Sequence, residues 1–240
     1  MGSVGTPVGR LVHIGADIGQ KQDPTAIVVC QVLERLGRKL PPSVRYDPRT
    51  FRQTEIENRQ LETYYEARHI ERLPLGTGYP QVAERIAQIC TSPALSGSRI
   101  LLAVDVTGVG QPVYEMVYDA VSILSGGKGH GTPGIRMRPI TFTHGDRYDR
   151  SAGRLGKAYL VSRLQALLQT GAIRLPPRHP EAQAMARELK DYEIRVDSAT
   201  ANDTYGAFKV GTHDDLATAL GLAVLDDPRD YRVTIGPRLF

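Results

Sequence analysis

The chain has 240 residues, 41% of them apolar and 23% charged, with a formal net charge of +4 and a pI near 9.1. That length supports one substantial core or two small ones, and no apolar run is long enough to span a bilayer or to act as a leader. The mildly basic balance is compatible with a polyanionic partner without requiring one. Cys30 and Cys90 each lie in an apolar run with no CxxC spacing, so they read as reduced structural thiols of an intracellular protein.

Residues 1–9 read as a linker or tag, beginning with Met1-Gly2-Ser3. Leu11, Val12 and Ile14 then predict a buried strand that runs out at Asp17, where Gly19 turns the chain. Asp23-Pro24-Thr25 launches a second strand over 26–33. Residues 34–59 are rich in Arg, Pro and Glu with little periodicity, and read as an extended hairpin connection or an insertion. A third strand over 62–75 and a helix opening at Tyr79-Pro80 follow. Arg99–Asp105 is a continuous aliphatic run, as expected of a strand buried on both faces in a layered α/β sheet.

Pro112 suits the first turn of a helix carried by Val113–Leu124. A Gly-rich loop over 125–133, a strand over 134–143 and a basic polar segment over 144–157 come next. The pattern then predicts a helix over 155–168 closed by Gly171, a strand over 172–175 and a helix over 180–192. Short strands over 193–196 and 205–210 flank a polar turn. The last element, over 212–225, is a helix apolar almost all round and therefore buried, with residues 227–240 as a C-terminal tail. Three strands before the first helix, then alternating helices and strands, predict one domain over 10–226: an antiparallel meander followed by parallel crossover units, flanked by helices.

Three acidic positions stand out. Asp17 ends the first strand, Asp105 ends the buried fourth strand, and Asp214 and Asp215 open the buried helix. Each has an ordinary reading: Asp17 and Asp105 as turn residues, the Asp pair favouring the helix dipole with Thr212 as N-cap. If the first and fourth strands are parallel neighbours, however, their acids lie about 5 Å apart at the kind of edge where α/β sheets bind ligands. Carboxylates crowded there repel and take up protons unless a cation neutralises them. Two hard divalent ions, Mg2+ or Mn2+ roughly 4 Å apart, would resolve the repulsion and serve phosphodiester cleavage.

The segments around Asp17, Leu-Leu-Ala-Val-Asp105-Val-Thr-Gly-Val-Gly and Gly-Thr-His213-Asp214-Asp215-Leu-Ala-Thr-Ala-Leu-Gly-Leu-Ala resemble the nuclease domain of the large terminase subunit of tailed bacteriophages. The likeness runs from about residue 10 to 226. It implies an RNase H-like fold close to the RuvC-type resolvases, with Asp17, Asp105 and Asp215 as catalytic metal ligands and Asp214 a neighbouring or water-mediated one. It also implies endonucleolytic cutting of double-stranded DNA during viral genome packaging in the host cytoplasm. The full subunit adds an ATPase motor and works with a portal protein and a small terminase subunit. Ser125-Gly126-Gly127-Lys128-Gly129 lacks the first Gly and the Ser/Thr of a phosphate-binding loop, so this stretch supplies no motor.

Lys128, Arg136, Arg138, Arg147, Arg150, Arg154 and Lys157 form a cationic stretch suited to backbone-directed DNA binding, or to a solvated face. His144, Lys209 and His213 are accessory candidates. The alternatives are a junction resolvase of the same fold, which usually carries Glu where Asp105 stands, a non-catalytic DNA-binding module, and a nucleotide-binding module suggested by Gly108-Val109-Gly110. In the last, Val113 replaces the third Gly of the fingerprint.

Overall fold

β-branched and aliphatic runs open the chain as three strands, β1 (Leu11–Asp17), β2 (Ala26–Asp47) and β3 (Arg52–Arg72), paired antiparallel in that order. The computed structural model describes residues 10–19, 23–126, 134–191, 193–197, 202–206 and 214–228. α1 (Tyr79–Cys90), with Pro80 in its first turn, leads to β4 (Arg99–Asp105), which returns parallel to β1. α2 (Gly110–Leu124) connects β4 to its parallel neighbour β5 (Ile135–Thr143). The short β6 (Tyr148–Asp149) and β7 (Arg154–Gly156) extend that edge. Then come α3 (Lys157–Gln169), β8 (Ile173–Arg174), α4 (Pro180–Asp191), the paired β9 (Glu193–Asp197) and β10 (Asn202–Gly206), and α5 (Asp215–Ala223).

Eight of the described strands make one mixed sheet in the order β6-β7-β5-β4-β1-β2-β3-β8. This is the expected RNase H-like architecture. Alternation along β1 and β4 sends Val12, Ile14, Ile100, Leu102 and Val104 to one face, where they pack against Val82 and Ile86 of α1 and Val113, Val117 and Val121 of α2. The opposite face packs Val28, Cys30, Tyr65 and Ala103 against α3, α4 and α5. Both cysteines are buried and free, as the apolar runs around them imply.

The placement of α5 on β1 positions the site. At Gly15 an added Cβ would lie 2.0 Å from the carbonyl oxygen of Ala219 and 2.6 Å from the backbone nitrogen of Ala223. Only glycine lets the helix backbone rest directly on the strand. Two residues earlier, the buried His13 donates from Nδ1 to the Ala223 carbonyl at 3.1 Å. Burial lowers its pKa to about 4, which keeps the ring in the neutral form that makes this bond. His13 therefore lies beside the end of α5, Gly15 beside its middle turn and Asp17 toward its start.

Several boundaries differ from the sequence expectation. β2 and β3 do not stop near residues 33 and 62; they continue as a two-stranded arm to the Asp47↔Arg52 pair, with register shifts between Leu36 and Lys39 and between Leu40 and Ser43. Of the two readings of residues 34–59, the extended hairpin is the one found. Pro41 and Pro42 fall in the second irregularity, where a missing N–H is tolerated. The basic segment over 144–157 contains β6 and β7, and Leu155 belongs to β7, so α3 starts at Lys157. The strand expected over 205–210 is found as Asn202–Gly206, and residues 207–210 lie outside the described residues. Thr212 also lies outside them, and Asp214 occupies the N-cap position of α5.

Gly15→Ala is expected to destabilise the protein by at least about 2 kcal/mol, because its Cβ meets helix backbone that cannot swing aside. Urea denaturation measures this, and an unchanged midpoint would mean that α5 does not press on β1.

Candidate active site

Two neighbouring parallel strands end in carboxylates. The last β1–β4 pair is Ala16↔Val104, and Asp17 and Asp105 each stand one residue further along. Adjacent strands are separated by about 4.8 Å. Ala16 and Val104 pack toward α1 and α2, so alternation turns the two acids to the opposite face, the one on which α5 lies. Asp214 and Asp215, at the start of α5, join them along one cleft of about 730 Å3. Asp23, Tyr79, Thr107, Phe142, Lys157 and Thr218 complete much of its wall.

The cleft is short of positive charge. Loss of solvent pushes the Asp17 carboxyl well above the usual carboxylate range, and the charges of Asp105, Asp214 and Asp215 push it further, with Lys157 pulling the other way. Burial also raises Asp105, against the opposing pull of Thr107. The Thr107 N–H donates to Asp105 Oδ1 at 2.7 Å, and the Thr107 hydroxyl in turn accepts the Phe142 N–H at 2.7 Å. The turn after β4 thus fixes Asp105 to the neighbouring strand. Gly108 and Gly110 follow with φ of 81° and 74°, which a side chain would oppose.

Asp215 is buried and ion-paired with Arg72, whose Nε lies 2.7 Å from Oδ2 and whose Nη2 lies 3.3 Å from Oδ1. The same guanidinium binds Glu188 and stands 3.8 Å from Glu181, both on α4. Glu188 additionally accepts the backbone N–H of Ala217 at 3.0 Å, satisfying a donor in the first turn of α5. Burial, then the nearby Asp215 charge, raise Glu188 to about 7. Arg72 and Glu188 escaped the sequence reading. The only trace was that an antiparallel partner of residue 26 must end beside Asp17, and the register makes that partner Arg72.

The donor set is all carboxylate oxygen, the chemistry that hard divalent cations take. Asp17, Asp105, Asp214 and Asp215 could hold Mg2+ or Mn2+. Among the described residues no three His, Cys, Asp or Glu side chains are grouped closely enough to share an ion in this geometry.

The cationic candidates divide by environment. Lys157 stands at the cleft over the Phe142 ring, 5.6 Å from its centroid. Arg147 and Arg154 are exposed beside β6 and β7. Arg138 and Arg150 instead turn to the buried Asp226, Arg150 at 3.0 Å, and Arg138 also donates to the Tyr148 hydroxyl at 2.8 Å. Arg136 pairs with Leu101 in register, well back along β5 from the acidic edge. His144 is exposed. Lys128, Lys209 and His213 lie outside the described residues.

The topology and the acid-lined edge define an RNase H-like domain. No protein-family model and no curated protein matches the chain. Among solved structures, the large terminase nuclease of thermophilic phage G20c shares its fold with a TM-score of 0.53 and 19% identity, over 89% of this chain and 81% of that one. The human cytomegalovirus terminase nuclease domain, soaked with Mn, gives 0.52 and 12% identity over 95% and 90%. A further structure of the human cytomegalovirus terminase nuclease domain gives 0.51 and 13% identity over 93% and 87%. The chain shares its fold with these large-terminase nuclease domains.

Arg72→Met leaves Asp215 and Glu188 facing each other without a cation. Glu188 holds its proton more tightly folded than unfolded, so its stabilising effect is complete below about pH 4.5 and is lost as pH rises through 7. The variant should therefore lose about 2 kcal/mol at pH 8, discounted for partial exposure, and less at pH 5. Chemical denaturation at the two pH values reads this, and an equal loss at both would contradict it.

Proposed function

We propose that this chain is a metal-dependent endonuclease that cuts double-stranded DNA, the nuclease part of a viral genome-packaging machine. The observation that carries the reading is the meeting of Asp17, Asp105, Asp214 and Asp215, from positions up to 198 residues apart, along one cleft at the strand ends. The shared fold with two terminase nucleases supports it. Asp17, Asp105 and Asp215 would hold two Mg2+ or Mn2+ ions, with Asp214 beside them or reaching them through water. Such ions, when bound, neutralise the carboxylates and the phosphate and lower the pKa of an attacking water.

The rest of the work falls to the chain. Thr107 keeps Asp105 aimed into the cleft through its N–H. Arg72 holds Asp215 at the start of α5 until a cation competes for it. Lys157 faces the phosphate charge from the rim, and exposed Arg147 and Arg154 suit contacts to the DNA backbone without reading bases. In a full-length protein an ATPase motor would deliver the DNA, with the portal and the small terminase subunit as partners in the host cytoplasm. No described helix is long and apolar enough to cross a membrane.

Asp17→Asn and Asp215→Asn should each lower the cutting of supercoiled plasmid in Mn2+ by about a thousandfold, while circular dichroism stays native. Either variant cutting like the parent would remove that carboxylate from the reaction. Faster cutting of four-way junctions than of linear duplex would move the assignment to a resolvase.

A further inference from the structure

Neither the cleft nor the core uses the β2–β3 arm. Past the Leu11↔Val32 pair, β2 has no β1 beside it, and the ribbon leaves the sheet at the end opposite Asp17. From the Ala26↔Arg72 pair to the Asp47↔Arg52 pair β3 covers 20 steps, about 65 Å at roughly 3.3 Å per residue. Both faces of the outer half are exposed. The whole arm over 33–64 is nearly balanced, with seven basic against five acidic residues, but the charge is uneven. The outer half, residues 38–59, carries Arg38, Lys39, Arg45, Arg49, Arg52 and Arg59 against Asp47, Glu55 and Glu57, a local excess of +3. Lys39 and Arg59 are paired with Glu57 at 3.3 and 3.1 Å, and Arg45 pulls on Asp47; among the described residues no ion pair holds Arg38, Arg45, Arg49 or Arg52. The connecting turn presents Phe51, 78% exposed and with a φ of 56°, a conformation few non-glycine residues take.

We propose that the outer half of this arm is a second duplex-DNA contact, separate from the cutting cleft. A two-stranded ribbon is one of the two elements that the major groove of B-DNA admits. The arginines flank such a ribbon where they reach phosphates, and Phe51 leads it as an apolar contact for base edges. Arginines held in no ion pair toward the tip are free to meet phosphates. The inference rests on DNA being the substrate, as proposed above. The span between cleft and tip corresponds to about 20 base pairs at roughly 3.4 Å each, so only a longer duplex can engage both contacts.

Anisotropy of labelled 12- and 40-base-pair duplexes in Ca2+ tests this with the parent chain, the R45A/R49A/R52A triple variant and F51A. Linking two contacts on one duplex should make the parent bind the longer DNA at least tenfold tighter. The triple variant should lose most of that gain and lower the salt slope by about 2 to 3, and F51A should lose part of the gain. All the altered side chains are exposed, so unfolding midpoints should match the parent, which separates lost contact from lost fold. Unchanged length dependence and salt slope would overturn the proposal, as would a change of oligomeric state in sedimentation without a change in DNA binding, which would assign the arm to protein contacts. Plasmid cleavage by the parent with arm-independent binding would sink this inference alone. Arm-dependent binding with no cleavage in Mn2+ would sink the nuclease reading and leave the arm.

Discussion

The contact on which the site depends is the seating of α5 against β1 at Gly15. A strand and a helix can approach until backbone meets backbone only where a side chain is missing, and Gly15 supplies that gap beneath Ala219 and Ala223. His13 adds a buried hydrogen bond to the same helix at its other end. With both fixed, the first turn of α5 has one place to go: beside the last residue of β1. Carboxylates distant in the chain are thus brought together by apolar packing and one buried hydrogen bond, not by attraction among themselves, since their mutual interaction is repulsive.

That repulsion explains what surrounds the acids. Asp17 is desolvated and faces three other carboxylates, and Lys157 is the cation that opposes them in its balance. Asp215 is relieved differently, by a close pair with Arg72 that also gathers Glu188 and Glu181 from α4. A buried ion pair of this kind contributes little net stability, because desolvation consumes most of the Coulombic gain. Its effect is positional: it orients the first turn of α5 and ties α4 to the end of β3. Under the proposed function, a cation entering the cleft would have to compete with Arg72 for Asp215.

Much of the frame was legible in the sequence because burial writes itself as periodicity. β1, β4 and α1 follow their apolar patterns closely, and Asp17 and Asp105 were visible as acids terminating apolar runs. The adjacency of β1 and β4, which brings those acids together, followed from topology and not from any local signal. The arm was not legible in length, because strands exposed on both faces have no reason to alternate, and Pro41-Pro42 reads as a break unless a bulge is known to accommodate it. Arg72 and Glu188 were invisible for another reason. Their role is set by a register, Ala26↔Arg72, and by how α4 docks, neither of which leaves a mark in spacing.

The arginines also show why net charge is a poor guide to partners. Arg138 and Arg150 belong to the stretch that looked most suited to DNA, yet both spend their charge on the buried Asp226, and Arg150 also stands 5.7 Å from the Tyr148 ring. Arg45, Arg49 and Arg52 sit in a segment that looked like a mere connection, and they stand exposed at the end of the arm. A guanidinium already engaged by a buried carboxylate has little field left to offer a phosphate, whereas one projecting from an unsupported ribbon keeps all of it. A bare two-stranded ribbon is at best marginally stable in water, and this one is anchored only at its root, where Tyr65 and Ala67 enter the core. Its outer half buries almost nothing against the other described residues.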